Sequence, residues 1–488
     1  MIQLCLRADT TIIAVEPACL VLEHRGRRMT LDGISGLGEA FRRLAAGNHD
    51  LDEMMLALTG PPGARCGTRI ALRRFGLALR MLAARQLVEF RCTDGPRMLL
   101  TAVPTGLLAS FDFWPPGTDH PPSAGLAADR FQLSRFACAH QVGADLIVEV
   151  PHKSMRVSVH QPEMGGLLTL LARPTTVEHA TRELSGRSAA VVREWLRFLA
   201  ATGVAGLLDA GGHLVEDHDP CLSLREFHDV LMHTASRGGL TDAPTWAAFP
   251  FAGVVPPLPA VKPQMSGELI RLPIPDVARM TAADPPLVTV MEQRRSVRRY
   301  GEPLTVGQLG EFLYRIGRVR SISGPDQGNP KAYETSNRTY PSAGGAYDLE
   351  IYPVVRECAG IAAGMYHYQP VEHALSALRP REAYLRRLLY RAYTANGGQV
   401  VPQVLLVITS RFGRLSWKYR GIAYANTLRD VGVLYEAMYL AAVAMGLAPC
   451  ALGAGDSGAF GAATRLDPLV ESSVGEFMLG TLPAGDDG

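Results

Sequence analysis

The feature that most constrains this chain is a faint internal repeat. Leu79-Arg80-Met81-Leu82-Ala83-Ala84-Arg85-Gln86-Leu87 reads like Leu196-Arg197-Phe198-Leu199-Ala200-Ala201-Thr202-Gly203-Val204, an offset of 117 residues from 79 to 196. The surroundings match as well. Apolar strand-like stretches (Leu20 to Leu31; Leu146 to His160) precede two short helical patterns and then the repeated helix, which runs into a short apolar strand. Strands, three helices and a terminal hairpin describe a winged-helix unit, so residues 1–105 and 128–212 are expected to be two copies of one. Such a unit can hold DNA on a basic helix or an extended peptide along a strand edge. Arg69, Arg73, Arg74, Arg80 and Arg85 supply cations in the first copy, but the second has only Arg193 and Arg197, beside Glu194. That is no sustained basic stripe, and a solvated helix face accounts for it.

A length of 488 residues exceeds one ordinary core and sets a prior of roughly three domains. A formal net charge of +2 gives no electrostatic footing for nucleic acid or a membrane surface, and no apolar run is long enough to span a bilayer. Met1 to Arg7 lacks the basic and apolar regions of a secretory signal. The eight cysteines (5, 19, 66, 92, 138, 221, 358, 450) are scattered without a Cys-x-x-Cys pair, the pattern of free thiols in a reducing cytoplasm. His367, His373, Cys358 and Cys450 lack metal-ligand spacing, so no metal site is expected.

Past the repeat, residues 213–283 read as a helix, Leu222 to His233, and a proline-rich linker, Pro244 to Pro275. The remainder, 284–488, is punctuated more sharply. Asp284-Pro285 is expected to cap a helix delivering Arg294, and Thr305-Val306-Gly307-Gln308 is a capping box for a helix from Val306 to Ile316. Leu349 to Val355 and Val404 to Thr409 read as buried strands, Met365 to Tyr368 and Ala374 to Leu378 as a hairpin, and Arg381 to Tyr393 as a helix. The longest helix, about Ala423 to Met445, should stop at Gly446.

Two motifs in this half carry chemistry. Arg294-Arg295-Ser296-Val297-Arg298 packs three cations and a hydroxyl into five residues, which suits a phosphate. Tyr340-Pro341-Ser342-Ala343-Gly344-Gly345 is a turn of small residues that lets backbone approach a flat ligand. Together they suggest a phosphorylated planar cofactor, although each alone also fits an ordinary basic run or loop. Lys418-Tyr419 is either surface decoration or an amine and a phenol aimed into a site. Gly453-Ala454-Gly455-Asp456-Ser457-Gly458 fits the dinucleotide pattern, but too little chain follows it for the rest of that unit.

From about Asp284 onward the chain resembles the FMN-dependent nitroreductase superfamily, on the arginine-serine run, on Pro341 to Gly345, and on Asp430-Val431-Gly432 through Gly446-Leu447. Within it the chain is most similar to the SagB-type (ThcOx-type) azoline dehydrogenases. That narrower likeness rests on Tyr340 to Gly344, on Lys418-Tyr419, and on His233 to Arg237 following tandem winged helices. The resemblance implies an α+β fold in which a C-terminal FMN-binding nitroreductase-like domain follows tandem winged-helix-like peptide-binding domains. It implies a homodimer with FMN at each subunit interface. Arg294, Arg295, Ser296 and Arg298 would hold the phosphate, Leu452 and Gly453 would lie near the ring, and Pro341, Ser342, Ala343 and Gly344 would come from the partner subunit. Lys418 and Tyr419 would be catalytic, the reaction being oxidation of thiazoline or oxazoline rings in a precursor peptide prepared by a cyclodehydratase. Two alternatives are an NAD(P)H-dependent nitro or quinone reductase and a non-catalytic peptide-binding scaffold.

Overall fold

The computed structural model describes residues 1–47, 50–58, 65–106, 109–111, 113, 126–237, 247–326 and 328–485. The chain divides into two compact units, Met1–Asp242 and Ala243–Gly488, each with its own core.

The first unit holds two runs of elements in a similar order. Copy one runs β1 (Ile2–Leu6), a meander of β2 (Thr10–Val15), β3 (Cys19–His24) and β4 (Arg27–Asp32), then α1 (Gly38–Ala45), α2 (Leu51–Ala57), α3 (Arg65–Ala84), β5 (Val88–Asp94) and β6 (Arg97–Pro104). Copy two repeats the order. It runs β7 (Leu126–Leu133), β8 (Cys138–Val142), β9 (Asp145–Val150), β10 (Met155–Val159), α4 (Pro162–Leu170), a two-residue β11 (Thr175–Thr176), α5 (Val177–Glu183), α6 (Ala189–Ala201) and β12 (Ala205–Asp209). In each copy the last helix feeds a strand that pairs antiparallel with the copy's first strand, β5 on β1 and β12 on β7. The repeated helices bury equivalent leucines, Leu79 and Leu82 in α3 and Leu196 and Leu199 in α6. Both helices are followed by a left-handed residue at matching positions, Gln86 (φ +57°) and Gly203 (φ +79°). Only glycine adopts that conformation without strain.

Two details depart from the sequence reading. The terminal hairpin of copy two shrinks to β12 and a single bridge, Leu208 to Leu214. The copies also share one sheet. β6 pairs with β10 from Leu100↔Val159 to Pro104↔Met155, giving the order β1-β5-β6-β10-β9-β8 and one continuous hydrophobic core. Arg197, a candidate DNA-contacting cation, is spent inside the unit, where its guanidinium donates to both Asp52 carboxylate oxygens at 2.9 Å and to Phe113 O at 2.6 Å. The helix expected from Leu222 begins later, as α7 (Phe227–Ser236). Asp219 Oδ1 accepts from the backbone N–H groups of Cys221 and Leu222, holding that stretch in a turn.

The second unit is built on a seven-stranded antiparallel sheet ordered β13-β20-β19-β17-β21-β23-β22. Its elements are β13 (Leu269–Arg271), α8 (Val277–Ala283), α9 (Leu287–Gln293), β14 (Leu304–Thr305), α10 (Val306–Gly317), β15 (Ser321–Ser323), β16 (Thr335–Asn337), β17 (Leu349–Val355), β18 (Cys358–Ala359), β19 (Gly364–Gln369) and β20 (Ala374–Leu378). They continue with α11 (Glu382–Ala395), β21 (Val404–Arg411), α12 (Gly413–Ser416), α13 (Ala423–Ala444), β22 (Leu447–Leu452), α14 (Ser457–Thr464) and β23 (Glu471–Thr481). Every residue of β17 and β21 is buried, because both sheet faces are covered. Alternate residues supply the two layers. Leu349, Ile351, Leu406 and Ile408 face α10 and α13, whereas Tyr352, Val354, Leu405 and Val407 face α11 and α14.

The capping box at Thr305 and Gln308 is formed, and α13 ends before Gly446 at φ +61°. Asp284 does not cap α9, which starts after Pro286. Its carboxylate instead accepts from both Nη atoms of Arg315, at 2.6 and 2.9 Å. The proline-rich stretch is a strap, not a free spacer. The Val255, Leu258, Pro259 and Ala260 carbonyls accept from Trp417 Nε1, Arg414 Nη1, Arg411 Nη1 and Arg411 Nη2 at 2.6–3.1 Å, and Arg338 Nη2 also donates to Ala260 O. A coil with no ladder of its own leaves carbonyls unpaired, and arginine forks buried beneath it satisfy them. Among the described residues no helix is long and apolar enough to cross a membrane.

Candidate active site

Two clusters form against α13, one toward each end. The first is built on the turn at Tyr340–Gly345. Ser342 Oγ donates to Asp430 Oδ2 at 2.5 Å, the Ala343 N–H lies 3.0 Å from both Asp430 oxygens, and the Tyr347 N–H donates to Ser342 Oγ at 2.9 Å. Gly344 and Gly345 both sit at positive φ, +59° and +66°, which fold the chain back on itself. Asp430 is 4% exposed, and burial pushes its carboxyl up to about 6, partly offset by the Ser342 and Ala343 donors. Asp348, fully buried beneath Ser410 and Thr427, raises it further and is itself raised by burial.

Lys418 and Tyr419 arrive from the other side, after the single turn of α12. Lys418 Nζ donates to Gly344 O at 3.0 Å and to Tyr333 Oη at 2.8 Å, while Tyr333 Oη donates to Gly344 O at 2.9 Å. The ammonium lies 5.2–5.8 Å from the ring centres of Tyr333, Tyr419 and Phe249. Phe249 belongs to the strap, and its backbone N–H donates to Lys418 O at 3.0 Å. Trp417 closes the cluster, 5.6 Å from the Tyr333 ring and 5.7 Å from Phe249. Gly344 is what permits the approach. A Cβ there would stand 2.5 Å from Lys418 Nζ and closer still to Tyr419 Oη.

The second cluster lies along edge strand β22. The Val297 N–H donates to Pro449 O at 2.8 Å, Ser296 Oγ bonds Tyr439 Oη at 2.7 Å, and Tyr439 Oη accepts from the Ala451 N–H at 2.9 Å. The Arg294 guanidinium sits 5.4 Å above the Tyr439 ring. Arg298 faces the Cys450 thiol, whose pKa burial raises while Arg298 pulls it back. Arg295 lies in the same run, and Leu452 ends the strand with the exposed Gly453 beyond it.

The candidate residues therefore fall into two groups in one chain. Pro341, Ser342, Ala343, Gly344, Lys418 and Tyr419 meet near Asp430, while Arg294, Arg295, Ser296, Arg298, Leu452 and Gly453 meet near Tyr439. Asp430 and Tyr439 lie nine positions apart on α13, about 13 Å of helix. Tyr333, Phe249, Trp417 and the anchoring role of Asp430 are not visible in the sequence. Tyr333 and Phe249 sit in irregular segments far from any motif.

The second cluster has the donor set for a phosphate ester. Arg294 and Arg298 are exposed guanidiniums without a carboxylate partner among the described residues, and Ser296 adds a hydroxyl. A Cβ at Gly453 would meet nothing within 4 Å, so the end of β22 is open to a flat group. The residues present fit FMN.

Residues 291–485 match the nitroreductase family, for which FMN is the cofactor, and residues 131–242 match cyanobactin oxidase ThcOx. The chain is 29% identical over 191 residues to the nitroreductase-named protein MJ1384 of Methanocaldococcus jannaschii, covering 38% of this chain and 86% of that one. It is 29% identical over 149 residues to trifolitoxin-processing protein TfxB of Rhizobium leguminosarum bv. trifolii, covering 30% of this chain and 40% of that one. Among solved structures, a nitroreductase-type protein of Ralstonia eutropha is 22% identical, with a TM-score of 0.35 over 46% of this chain and 95% of that one. The E. coli microcin synthetase McbBCD complex with truncated pro-MccB17 bound is 19% identical, with a TM-score of 0.31 over 51% of this chain and 86% of that one. The chain thus carries a segment similar to cyanobactin oxidase ThcOx, residues 131–242, ahead of one similar to the nitroreductase family, residues 291–485.

Proposed function

We propose that this protein is an FMN-dependent azoline dehydrogenase, oxidising thiazoline or oxazoline rings of a ribosomally made precursor peptide to thiazoles or oxazoles. The carrying observation is the convergence of Lys418 Nζ and the Tyr419 hydroxyl on the Gly344 turn inside an aromatic box. A nitro or quinone reductase has no carbon acid to deprotonate and no use for a paired amine and phenol there. The ThcOx match and the likeness to a toxin-processing protein support a peptide substrate.

FMN, when bound, supplies the hydride acceptor. The protein's share is to orient the ring and move a proton. The ring α-carbon is acidified by its neighbouring carbonyl, and Lys418 or Tyr419 takes its proton while the β-carbon loses hydride. Phe249 and Tyr333, both half-buried, offer flat apolar surface to a conjugated ring. In this reading dioxygen is the final electron acceptor and leaves as hydrogen peroxide, which balances the two hydrogens removed. Two clusters set apart along one helix suit a site shared between two copies. Exposed Leu287, Val288, Met291, Tyr424 and Leu428 support a second copy of the chain covering this unit. A cyclodehydratase is the partner that would supply the cyclised peptide.

The test is anaerobic flavin reduction by a cyclised, unoxidised peptide in the wild type, Lys418→Ala, Tyr419→Phe and the double variant. All four proteins should keep the bound-flavin spectrum. The variants should slow by about 10²–10⁴-fold, the range of general-base catalysis, with the double little worse than the poorer single. Wild-type rates in the double variant would overturn the mechanism. Rapid bleaching by a nicotinamide without peptide would point to a nitro or quinone reductase.

A further inference from the structure

We infer that Tyr333 is a positioning residue for the Lys418 amine, a third member of the Lys418–Tyr419 pair; this rests on Lys418 serving as the base. Tyr333 Oη, Lys418 Nζ and Gly344 O close a triangle with sides of 2.8, 2.9 and 3.0 Å. In the structure the phenol donates its one hydrogen to Gly344 O and accepts from Nζ. A neutral amine has two N–H bonds and one lone pair. Tyr333 Oη and Gly344 O take the two N–H bonds, so the lone pair is the one direction left over. When the amine gains the substrate proton, the third N–H occupies that same direction and the triangle is unchanged. The base can therefore load and unload a proton without rearranging.

The surroundings hold Tyr333 independently of its hydroxyl. Its ring packs against Trp417 and Phe249, and the Arg414 guanidinium lies 5.3 Å from its centre. Arg414 is 2% exposed and donates to Glu334 O, Ala346 O and Leu258 O at 2.6–3.0 Å. It thereby pins the residue after Tyr333, the end of the Gly344 turn and the strap to one point. Glu334 Oε1 accepts from the Ala260 N–H at 2.6 Å, a second tie. Removing only the hydroxyl leaves all of this in place and frees Nζ to rotate about a single remaining acceptor.

The experiment compares full-length, FMN-loaded wild type, Tyr333→Phe, Tyr333→Gln and Lys418→Ala. Two readouts are taken across pH: the rate of anaerobic flavin reduction by cyclised peptide, and competitive acetylation of Lys418 Nζ followed by mass spectrometry. Tyr333→Phe should reduce about 10- to 100-fold more slowly, the worth of one hydrogen bond to a charged group. Its acetylation profile should change, because the amine loses one of its two acceptors. Tyr333→Gln, whose amide oxygen can still accept from Nζ, should recover part of both. Unchanged rate and acetylation in Tyr333→Phe, with Lys418→Ala inactive, would overturn the role of Tyr333 alone. Full activity in Lys418→Ala would overturn the underlying reading with it. A slowed Tyr333→Phe with an unmoved acetylation profile would also refute positioning, since the amine would not have sensed the loss.

Discussion

Gly344→Ala tests whether proximity at the turn sets the reaction rate. The added methyl would lie 2.5 Å from Lys418 Nζ and 3.0 Å from its Cε, where ordinary contact begins near 3.4 Å. The ammonium must retreat by about 0.9 Å along that line, and its 2.8 and 3.0 Å bonds to Tyr333 and Gly344 stretch out of hydrogen-bonding range. Lysine is flexible and relieves its share cheaply, but Tyr419 Oη stands closer still and its ring has to tilt as well. The larger folding term is an alanine at φ +59°, about 1 kcal/mol. For a unit of this size that lowers the melting temperature by roughly 2–4 °C. Misplacing a reacting group by about 1 Å is worth about 10²-fold in rate. The variant should therefore stay folded and yellow, melt slightly early, and reduce its flavin about a hundredfold more slowly with cyclised peptide. The assay pairs a thermal melt and flavin quantification with stopped-flow absorbance under nitrogen. A variant that melts as expected yet reduces within twofold of wild type would show that Lys418 and Tyr419 need not stand where the structure has them.

Three further outcomes are expected. Arg294→Ala with Arg298→Ala should release the cofactor, read as loss of the flavin absorbance after gel filtration, because the phosphate loses both exposed guanidiniums. Burial raises the Glu476 carboxyl from 4.5 to about 7, so the folded protein holds a proton there that the unfolded chain releases. That stability is complete below about pH 4.5 and gone above about pH 7, a difference of about 3 kcal/mol; Glu476→Gln should flatten the fall in melting temperature between pH 5 and 8. A chain beginning at residue 243 should fold and bind FMN, whereas one beginning at 284 should be insoluble or melt far lower. The shorter chain leaves Arg338, Arg411 and Arg414, all at most 5% exposed, without strap carbonyls, at about 1.5–3 kcal/mol each.

What could be read from the sequence was whatever had a local cause. The Thr305–Gln308 box caps its helix within four residues, Gly446 ends α13 by its own backbone freedom, and the apolar runs of β17 and β21 need only a covered sheet. The strap has no such signature. Its prolines read as a spacer, and what makes it structural is a set of arginines roughly 80 to 160 residues downstream. Asp284 misled for a related reason, since Arg315 outcompeted the helix end for its carboxylate. At the site, the two motifs and the Lys418-Tyr419 pair were visible as chemistry, but their division between the ends of α13 was not. Nothing around Tyr333 or Phe249 announces that their rings enclose the lysine.

The ladder between β6 and β10 has a consequence for how this protein can be altered. The two repeats form one fold, because five residue pairs of backbone hydrogen bonding and a common core cross the boundary between them. Neither repeat can be traded for a homologue's on its own: the cut would bare Ala102, Val157 and their neighbours along two sheet edges, an invitation to aggregate. Chimeras should exchange residues 1–242 whole, with the strap left to the second unit. Natural drift is bound by the same limit, so substitutions on the two sides of that ladder should compensate one another as if they belonged to a single ancestral domain.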